Sequence, residues 1–113
     1  MPPVPDPPTF RLDVHADAGR TLVAAVGEVD LATAGELGDA LRAQLAGAPV
    51  LLDLSAVTFM DSSGVRVLDA VLGECAQHGW DLRVRRDLHE HVRQVLDMTA
   101  LYAALPFDDD GPS

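Results

Sequence analysis

The first patterned part of the chain alternates apolar and polar residues, which is the period of a half-buried strand. Residues 10–15 follow this alternation, residues 16–19 have turn-forming chemistry, and residues 21–26 form a second apolar-rich run. Two such runs joined by a short turn predict an antiparallel hairpin. The segment Gly27-Glu28-Val29-Asp30 follows the second run and is predicted to end its strand.

Helical periodicity begins at Thr33. Leu37, Leu41 and Leu45 recur every four residues and place an apolar ridge on one face of a helix. The ridge stops before Gly47-Ala48-Pro49, where glycine and proline disfavour continuation of the helix. The sequence therefore predicts a first helix that starts at Thr33 and ends before this breaker.

The central part of the chain repeats the change from strand to helix. Residues 50–54 are a short, mostly apolar run typical of a buried strand, and residues 58–61 are predicted to connect it to the next helix. Apolar residues then recur at steps of three and four, namely Val65, Leu68, Leu72 and Cys75. This spacing predicts a second helix over residues 63–78, with Gly79 as its C-cap.

The last part of the chain predicts a fourth strand and a third helix. Residues 81–86 form the strand. The apolar positions that outline the helix are Leu88, Val92, Val95 and Leu96. Leu101 and Leu105 predict a short final turn, which Pro106 terminates.

This order of elements determines the predicted fold class. A series of strand, strand, helix, strand, helix, strand and helix contains two right-handed crossover units. We therefore predict one α/β domain, with a mixed four- to five-stranded sheet, an N-terminal hairpin and helices packed on the sheet. We assign it to residues 10–107, between a proline-rich extension over residues 1–9 and an acidic tail over residues 108–113, both expected to be flexible.

The topology predicts a common edge for several acidic and hydroxyl side chains. In sheets of this kind, the loops after the carboxyl ends of parallel strands open on one edge, where ligands and partners bind. Asp30 follows the second strand, Asp61-Ser62-Ser63 follows the third, and Asp87 follows the fourth. We expect these residues to form one acidic surface around the two hydroxyls.

Composition narrows the classes of partner. The chain of 113 residues has a net charge of -10, from 18 acidic and 8 basic residues, and every basic residue is an arginine. No broad cationic face is available to bind nucleic acid or an anionic membrane. No apolar run approaches the roughly 20 residues that cross a bilayer, and the start of the chain lacks the order of a signal peptide. We therefore expect a cytoplasmic protein.

The sequence predicts no metal or cofactor site. His89 and His91 are two residues apart, so they do not share a helical face, and no cysteine or carboxylate cluster completes a metal site. Cys75 lies on the apolar stripe of its helix and is expected to be a small core residue. Asp53, inside an apolar strand, is expected to be a structural acid bound by nearby backbone N–H groups.

The run Asp61-Ser62-Ser63-Gly64 places two hydroxyls at the start of the second predicted helix. Unpaired N–H groups and the helix dipole favour an anion there, so phosphate on either serine would meet a favourable field. The same residue types also satisfy the simpler requirement for N-capping, and Asp30 is equally suited to capping the first helix. Both roles are compatible if Ser62 caps the helix and Ser63 faces outward.

Three segments together resemble the STAS domain of bacterial anti-sigma factor antagonists. They are Gly27-Glu28-Val29-Asp30, Leu52-Asp53-Leu54 and Phe59-Met60-Asp61-Ser62-Ser63-Gly64. The resemblance covers nearly the whole predicted folded region. It is fairly specific because the Asp-Ser-Ser-Gly element follows a predicted strand, and the Gly-Glu-Val-Asp element lies at the right distance before it.

The resemblance implies a switch in partner binding. Antagonists of this family bind an anti-sigma factor that is also a serine kinase and thereby release a sigma factor, and phosphorylation reverses the binding. For this chain it implies Ser63 as the phosphoacceptor, with Ser62 as the alternate, and reactivation by a metal-dependent serine phosphatase. The implied partner-binding residues are Asp30, Asp61, Ser62, Ser63, Gly64 and Arg66.

Two of these residues carry a further expectation. Asp30 matches the family acid that helps to dock the kinase, so docking and helix capping both stay open for it. Arg66 stands where a small residue is common in the family. Because Arg66 lies three residues after Ser63 on the predicted helix, its side chain is placed to pair with a phosphate on Ser63.

Three other functions match parts of the pattern. A receiver domain would use Asp53 as phosphoacceptor, although the chain has no lysine to support an acyl phosphate. An enzyme would use Ser63 as a nucleophile, but the Gly-x-Ser-x-Gly elbow and a placed histidine base are missing, so we expect no enzymatic activity. A STAS domain without a switch, in a lipid transporter or a signalling scaffold, is the third alternative.

Overall fold

The computed structural model describes residues 10–108, so the expectations for residues 1–9 and 109–113 lie outside the described residues. The strands are β1 (Arg11–Asp17), β2 (Arg20–Val29), β3 (Val50–Met60) and β4 (Leu82–Val84). The helices are α1 (Ala34–Leu45), α2 (Ser62–His78) and α3 (Glu90–Met98), followed by a short 3-10 helix over Tyr102–Ala104. Within residues 10–108, no helix has the length and apolar character needed to cross a membrane.

The four strands form one mixed sheet with the order β1-β2-β3-β4. β1 pairs with β2 in antiparallel orientation, whereas the β2–β3 and β3–β4 pairs are parallel. Phe107 adds one parallel bridge to Val84 beside β4. The predicted α/β class, with an N-terminal hairpin and a mixed sheet, is confirmed.

The main core joins the sheet to helices α1 and α2. Both helices bury one face, with Leu37, Leu41, Leu45, Leu68, Val71 and Cys75. These side chains pack in one cluster with strand residues that include Val23, Ala25, Leu52 and Leu54. The prediction of Cys75 as a core residue is confirmed, and burial raises the pKa of its thiol, with the charges of Glu74 and Asp81 acting in the same direction.

Two strands are longer than predicted. β2 continues to Val29, and β3 continues to Met60 instead of ending at Leu54. The predicted connector over residues 58–61 is therefore wrong except for Asp61, which alone joins β3 to α2. Register shifts within the β2–β3 pair let these irregular segments stay paired. Ser55 and Ala56 are exposed in succession, so the sequence pattern does not indicate that the strand continues there. Pairing with β2 stabilises this part of the strand.

The helix boundaries agree closely with the periodicity. α1 starts at Ala34, one residue after the predicted start, and α2 starts at Ser62, one residue before it. The predicted C-cap of α2 is confirmed, because Gly79 has a φ of 70° and its N–H donates to the Cys75 carbonyl. β4 is shorter than the predicted strand over residues 81–86.

Helix α3 packs against β3. Its buried residues, Val92 and Leu96, belong to the main core. The ring of His91 stacks on Phe59 near the end of β3, with ring centroids 5.2 Å apart and an interplanar angle of 13°. α3 therefore supports the end of the strand that leads into Asp61 and the two serines.

Candidate functional site at the carboxyl edge of the sheet

Parallel strands β2 and β3 end side by side and bring two strand-to-helix junctions to one edge. Val29 is in register with Met60, and the Asp61 N–H donates to the Val29 carbonyl at 3.2 Å. The first junction, residues 28–34, leads into α1, and the second junction, residues 59–64, leads into α2. Because Asp30 and Asp61 directly follow the paired strands, they lie at the same edge, as predicted.

Asp61 is the N-cap of α2. Its backbone is extended, with φ -109° and ψ -170°, and its Oδ1 accepts a hydrogen bond from the Ser63 N–H at 2.8 Å. The predicted capping role of Ser62 is therefore wrong, because Ser62 is already the first residue of the helix. An aspartate at the N-cap satisfies one of the free N–H groups of the first turn and complements the helix dipole.

The two hydroxyls of the second junction differ in exposure. Ser62 is exposed and Ser63 is half-buried. Within residues 10–108, neither hydroxyl forms a hydrogen bond with another residue, so no described side chain is bonded to either oxygen as a general base. The arrangement suits a hydroxyl that receives a group from another protein better than it suits an internal nucleophile.

Gly64 allows α2 to approach the ends of both strands. A Cβ at this position would lie 2.7 Å from Met60 Cγ and 2.8 Å from Val29 Cγ1, which is closer than carbon atoms can pack. The sequence included Gly64 only as part of a motif and gave no sign of this contact. The glycine therefore has a steric role, because it sets how near the serines lie to β2 and β3.

Asp30 stabilises the turn of the first junction. Its Oδ1 accepts hydrogen bonds from the Ala32 N–H at 2.9 Å and the Thr33 N–H at 3.2 Å. The Thr33 hydroxyl accepts from the Asp30 N–H at 3.0 Å and donates to the Glu28 carbonyl at 2.8 Å. Asp30 thus makes capping bonds in the turn before α1, although Thr33 is the N-cap residue by backbone position.

Arg66 is exposed on α2, one turn after the serines. Among residues 10–108 it forms no ion pair. It lines a cavity of about 230 Å³ between α2 and the chain after α3, together with Asp69, Thr99 and Ala100. The i, i+3 spacing from Ser63 that motivated the phosphate pairing is thus present on a continuous helix.

Two apolar residues of the edge were missed by the sequence reasoning. Leu31 and Phe59 belong to the two junctions and are exposed. Phe59 was part of the quoted motif, but its stacking on His91 joins segments far apart in the chain. The sequence gave one weak indication for Leu31, because it is an apolar residue that does not belong to the ridge of Leu37, Leu41 and Leu45 on α1.

The other residues considered in the sequence analysis lie outside the two junctions. Asp53 Oδ1 accepts from the Ser55 N–H at 2.9 Å, which confirms the expected structural role, and its Oδ2 lies 3.7 Å from Arg85 Nη1. Asp53 lies in the middle of β3 rather than at its carboxyl end, so it lacks the position of a receiver phosphoacceptor. His89 caps α3 by accepting from a backbone N–H, and Asp87 is exposed between β4 and α3.

Comparisons with known proteins give a consistent family. Residues 10–110 match the model of the STAS domain family. The crystal structure of an anti-sigma factor antagonist from Mycobacterium paratuberculosis is 27% identical, covers 96% of this chain and 92% of that chain, and has a TM-score of 0.77. The anti-sigma factor antagonist SpoIIAA in its unphosphorylated form shares the fold at 16% identity and a TM-score of 0.68, over 90% of each chain.

A third structure, the STAS domain of an antisigma-factor antagonist from Rhodobacter sphaeroides, is 18% identical with a TM-score of 0.55 and covers 76% of this chain and 90% of that chain. The family match spans both junctions and all four strands. It agrees with the mixed sheet, the N-terminal hairpin and the helix that follows the Asp-Ser-Ser-Gly element. This chain belongs to the STAS domain family.

Proposed function

We propose that this chain is an anti-sigma factor antagonist. Its unphosphorylated form binds an anti-sigma factor that is also a serine kinase, and this binding frees the sigma factor. Phosphorylation of Ser63 switches the binding off, and a metal-dependent serine phosphatase restores it. The observation that carries the proposal is the unbonded Ser63 hydroxyl in the first turn of α2, at the same edge as Asp30.

The likeness to a solved antagonist supports the class of partner. The mycobacterial anti-sigma factor antagonist covers 96% of this chain at 27% identity. The charge of this chain supports a protein partner over a nucleic acid, since a net charge of -10 repels phosphate backbones. The partner proposed here is therefore a protein that contacts the acidic edge.

The backbone of Ser63 is held by a hydrogen bond to the N-cap, which favours Ser63 over Ser62 as the phosphoacceptor. The Ser63 N–H is bound to Asp61 Oδ1 at 2.8 Å, which fixes the backbone from which its hydroxyl projects. A kinase that docks on this edge meets this hydroxyl at a defined position. Ser62 is more exposed, and it stays the alternate acceptor.

A phosphate on Ser63 changes the docking edge without refolding the domain. A phosphoserine adds about -1.5 to -2 charge at neutral pH. This charge would join Asp30 and Asp61 at the same edge, so a partner that buries the edge meets repulsion and a larger desolvation cost. The N-terminus of α2 tolerates the anion, because the helix dipole is positive there.

Intact-mass analysis tests the proposal directly. The chain is mixed with ATP and the purified anti-sigma factor kinase encoded nearest to it, and the mass is compared for wild type, Ser63→Ala and Ser62→Ala. We expect one added phosphate on wild type and on Ser62→Ala, and none on Ser63→Ala. A wild-type chain that gains no phosphate, or a Ser63→Ala chain that still gains one, contradicts the proposal.

A further inference from the structure

We infer that Leu31 in the first junction is an apolar anchor for the protein that binds this edge, and that the partner presents an apolar pocket bordered by basic residues. The inference rests on the proposed function and adds the chemistry of the contact surface. It depends on three features of the structure: an ordered backbone at Leu31, a second exposed apolar residue, Phe59, in the neighbouring junction, and an acidic border.

Leu31 is held in an exposed position by a firmly bonded turn. Its residue is 83% exposed, although the backbone on both sides is fixed. Asp30 Oδ1 accepts from the Ala32 and Thr33 N–H groups, and the Thr33 hydroxyl donates to the Glu28 carbonyl. Because the turn is already ordered, binding through Leu31 loses little backbone entropy.

Phe59 is a second exposed apolar residue, near the end of the neighbouring strand β3. It is 37% exposed, and it pairs in register with Glu28 at the start of the first junction. The ring of His91 stacks on Phe59 and holds it from the side of α3. Single exposed apolar residues are ordinary on proteins. Here, however, Leu31 and Phe59 belong to the two junctions at the edge that carries the proposed phosphoacceptor.

Carboxylates border this apolar pair. Asp30 and Asp61 each bind backbone N–H groups through Oδ1, and within residues 10–108 the Oδ2 atom of each carboxylate accepts no hydrogen bond. An apolar centre with an anionic border is complementary to an apolar pocket with arginine or lysine around it. A protein surface of that kind is therefore the occupant that we assign to the edge.

Binding measurements on matched variants test this inference. Isothermal titration calorimetry compares wild type, Leu31→Ala, Leu31→Asp and Ala43→Asp, with the purified anti-sigma factor kinase encoded nearest to the chain. Ala43 is exposed on α1 near the end of the helix, so its substitution adds the same charge away from the junctions. We expect affinity to fall about tenfold for Leu31→Ala and about a hundredfold for Leu31→Asp, and to stay unchanged for Ala43→Asp.

Thermal unfolding separates a binding defect from a folding defect. The Leu31 side chain packs little in the free chain, so its variants should melt within about two degrees of wild type. If Leu31→Asp binds as tightly as Ala43→Asp, the inference is overturned. A Ser63→Asp variant tests the proposed function separately: if wild type binds and Ser63→Asp does not, the switch stands whatever Leu31 does. Failure of wild type to bind overturns both.

Discussion

At the first junction four residues separate β2 from α1, whereas at the second junction Asp61 alone separates β3 from α2. In both junctions the residue directly after the strand is an aspartate whose Oδ1 accepts a hydrogen bond from the backbone, from two N–H groups at Asp30 and from one at Asp61. Asp61 caps its helix directly, while Asp30 stabilises an intervening turn. The same residue type at the same edge therefore builds a tight connection in one place and a wide one in the other.

This difference separates two tasks at one edge. The second junction, which is the short one, holds Ser62 and Ser63 in the first turn of α2, close to the strand ends and near the positive end of the helix dipole. The first junction is longer and includes Leu31, whose side chain does not pack against the rest of the free chain. Substitution of Gly64 or Asp61 in the second junction should therefore mainly affect stability, whereas substitution of Leu31 in the first junction should mainly affect binding.

The largest effect on stability is expected at Gly64 in the second junction, where α2 lies closest to the ends of β2 and β3. Gly64→Ala places a Cβ 2.7 Å from Met60 Cγ and 2.8 Å from Val29 Cγ1, so these buried side chains, or the elements that carry them, must shift. We expect a loss of about 1–3 kcal/mol in the free energy of unfolding. Urea denaturation followed by circular dichroism measures it.

Gly73→Ala is the matched control in the same helix. Gly73 is exposed, and a Cβ there would have no atom within 4 Å. The substitution should stabilise the chain by about 0.5–1 kcal/mol, since alanine favours a helix interior more than glycine does. If both glycine variants changed stability in the same direction and by the same amount, the close packing of Gly64 would have no energetic meaning.

Removal of the N-cap should give the next largest effect. Asp61→Ala loses the hydrogen bond to the Ser63 N–H and the favourable charge at the start of α2, which is worth about 1 kcal/mol. Asp61→Asn keeps an oxygen acceptor and should recover most of that loss. Chemical denaturation of the three proteins at neutral pH compares them, and equal losses for both variants would argue against a capping role.

Asp30→Ala should cost less than Asp61→Ala. The turn of the first junction is also held by the Thr33 hydroxyl and by the Ala34 N–H, which donates to the Asp30 carbonyl at 2.8 Å. We therefore expect a loss of about 0.5 kcal/mol, measured in the same denaturation series. A larger loss than for Asp61→Ala would reverse the comparison between the junctions.

Arg66 should contribute to stability only in the phosphorylated chain, because it lies one helical turn after the serines of the second junction. A phosphate on Ser63 should be stabilised by Arg66 by about 0.5 kcal/mol at low salt, as an exposed pair at i, i+3. Thermal unfolding of phosphorylated wild type and Arg66→Ala, each against its unphosphorylated form, measures it. If both gained the same stability from phosphorylation, the pairing would be abandoned.

The smallest effect should come from the ion pair that joins the helices of the two junctions. Arg42 Nε and Nη2 donate to Glu74 Oε1 and Oε2 at 2.7 and 3.1 Å. The hydrogen bond from Arg42 lowers the pKa of Glu74, so its stabilising contribution is present above the ordinary carboxyl pKa and is lost as the pH falls through the lowered value. The stability difference between wild type and Glu74→Gln should thus be small at neutral pH and vanish in acid.

A pH series of denaturant unfolding curves checks this sign. Asp69→Asn on α2 is the control, because it removes an exposed carboxylate that lies beyond the first turn of its helix and forms no ion pair within residues 10–108. A wild-type advantage over Glu74→Gln that grew as the pH fell would contradict the assigned direction of the pKa shift.

Sequence patterns predicted the element order and the shared edge of Asp30 and Asp61, because these depend on local periodicity and on general rules of chain topology. The same rule placed Asp87 at this edge, but β4 ends in register with Leu52, well before the end of β3, so its end is not level with the other two strand ends. Leu37, Leu41 and Leu45 form a ridge whichever strand they pack on, and Gly79 ends α2 through its own backbone freedom. The placement of Asp30 beside Asp61 followed from parallel pairing of the strands that precede them.

The choice of cap could not be made from residue types. Asp61, Ser62 and Ser63 are all good N-cap residues, so the sequence offers three starting points for one helix. The extended backbone of Asp61, fixed by its hydrogen bond to the Val29 carbonyl, decides that the aspartate caps α2. The length of β3 was missed for a similar reason, since pairing with β2 stabilises a segment whose own pattern is weak.

The sequence by itself determined the fold class, the position of the two hydroxyls at a helix start and the acidic character of their surroundings, because each of these follows from local pattern or composition. Only the tertiary structure decided that Gly64 must lack a side chain, that Phe59 rests on His91, and that Leu31 stays exposed. Those properties depend on distances between segments that meet only when the strands pair, and no local pattern encodes such distances.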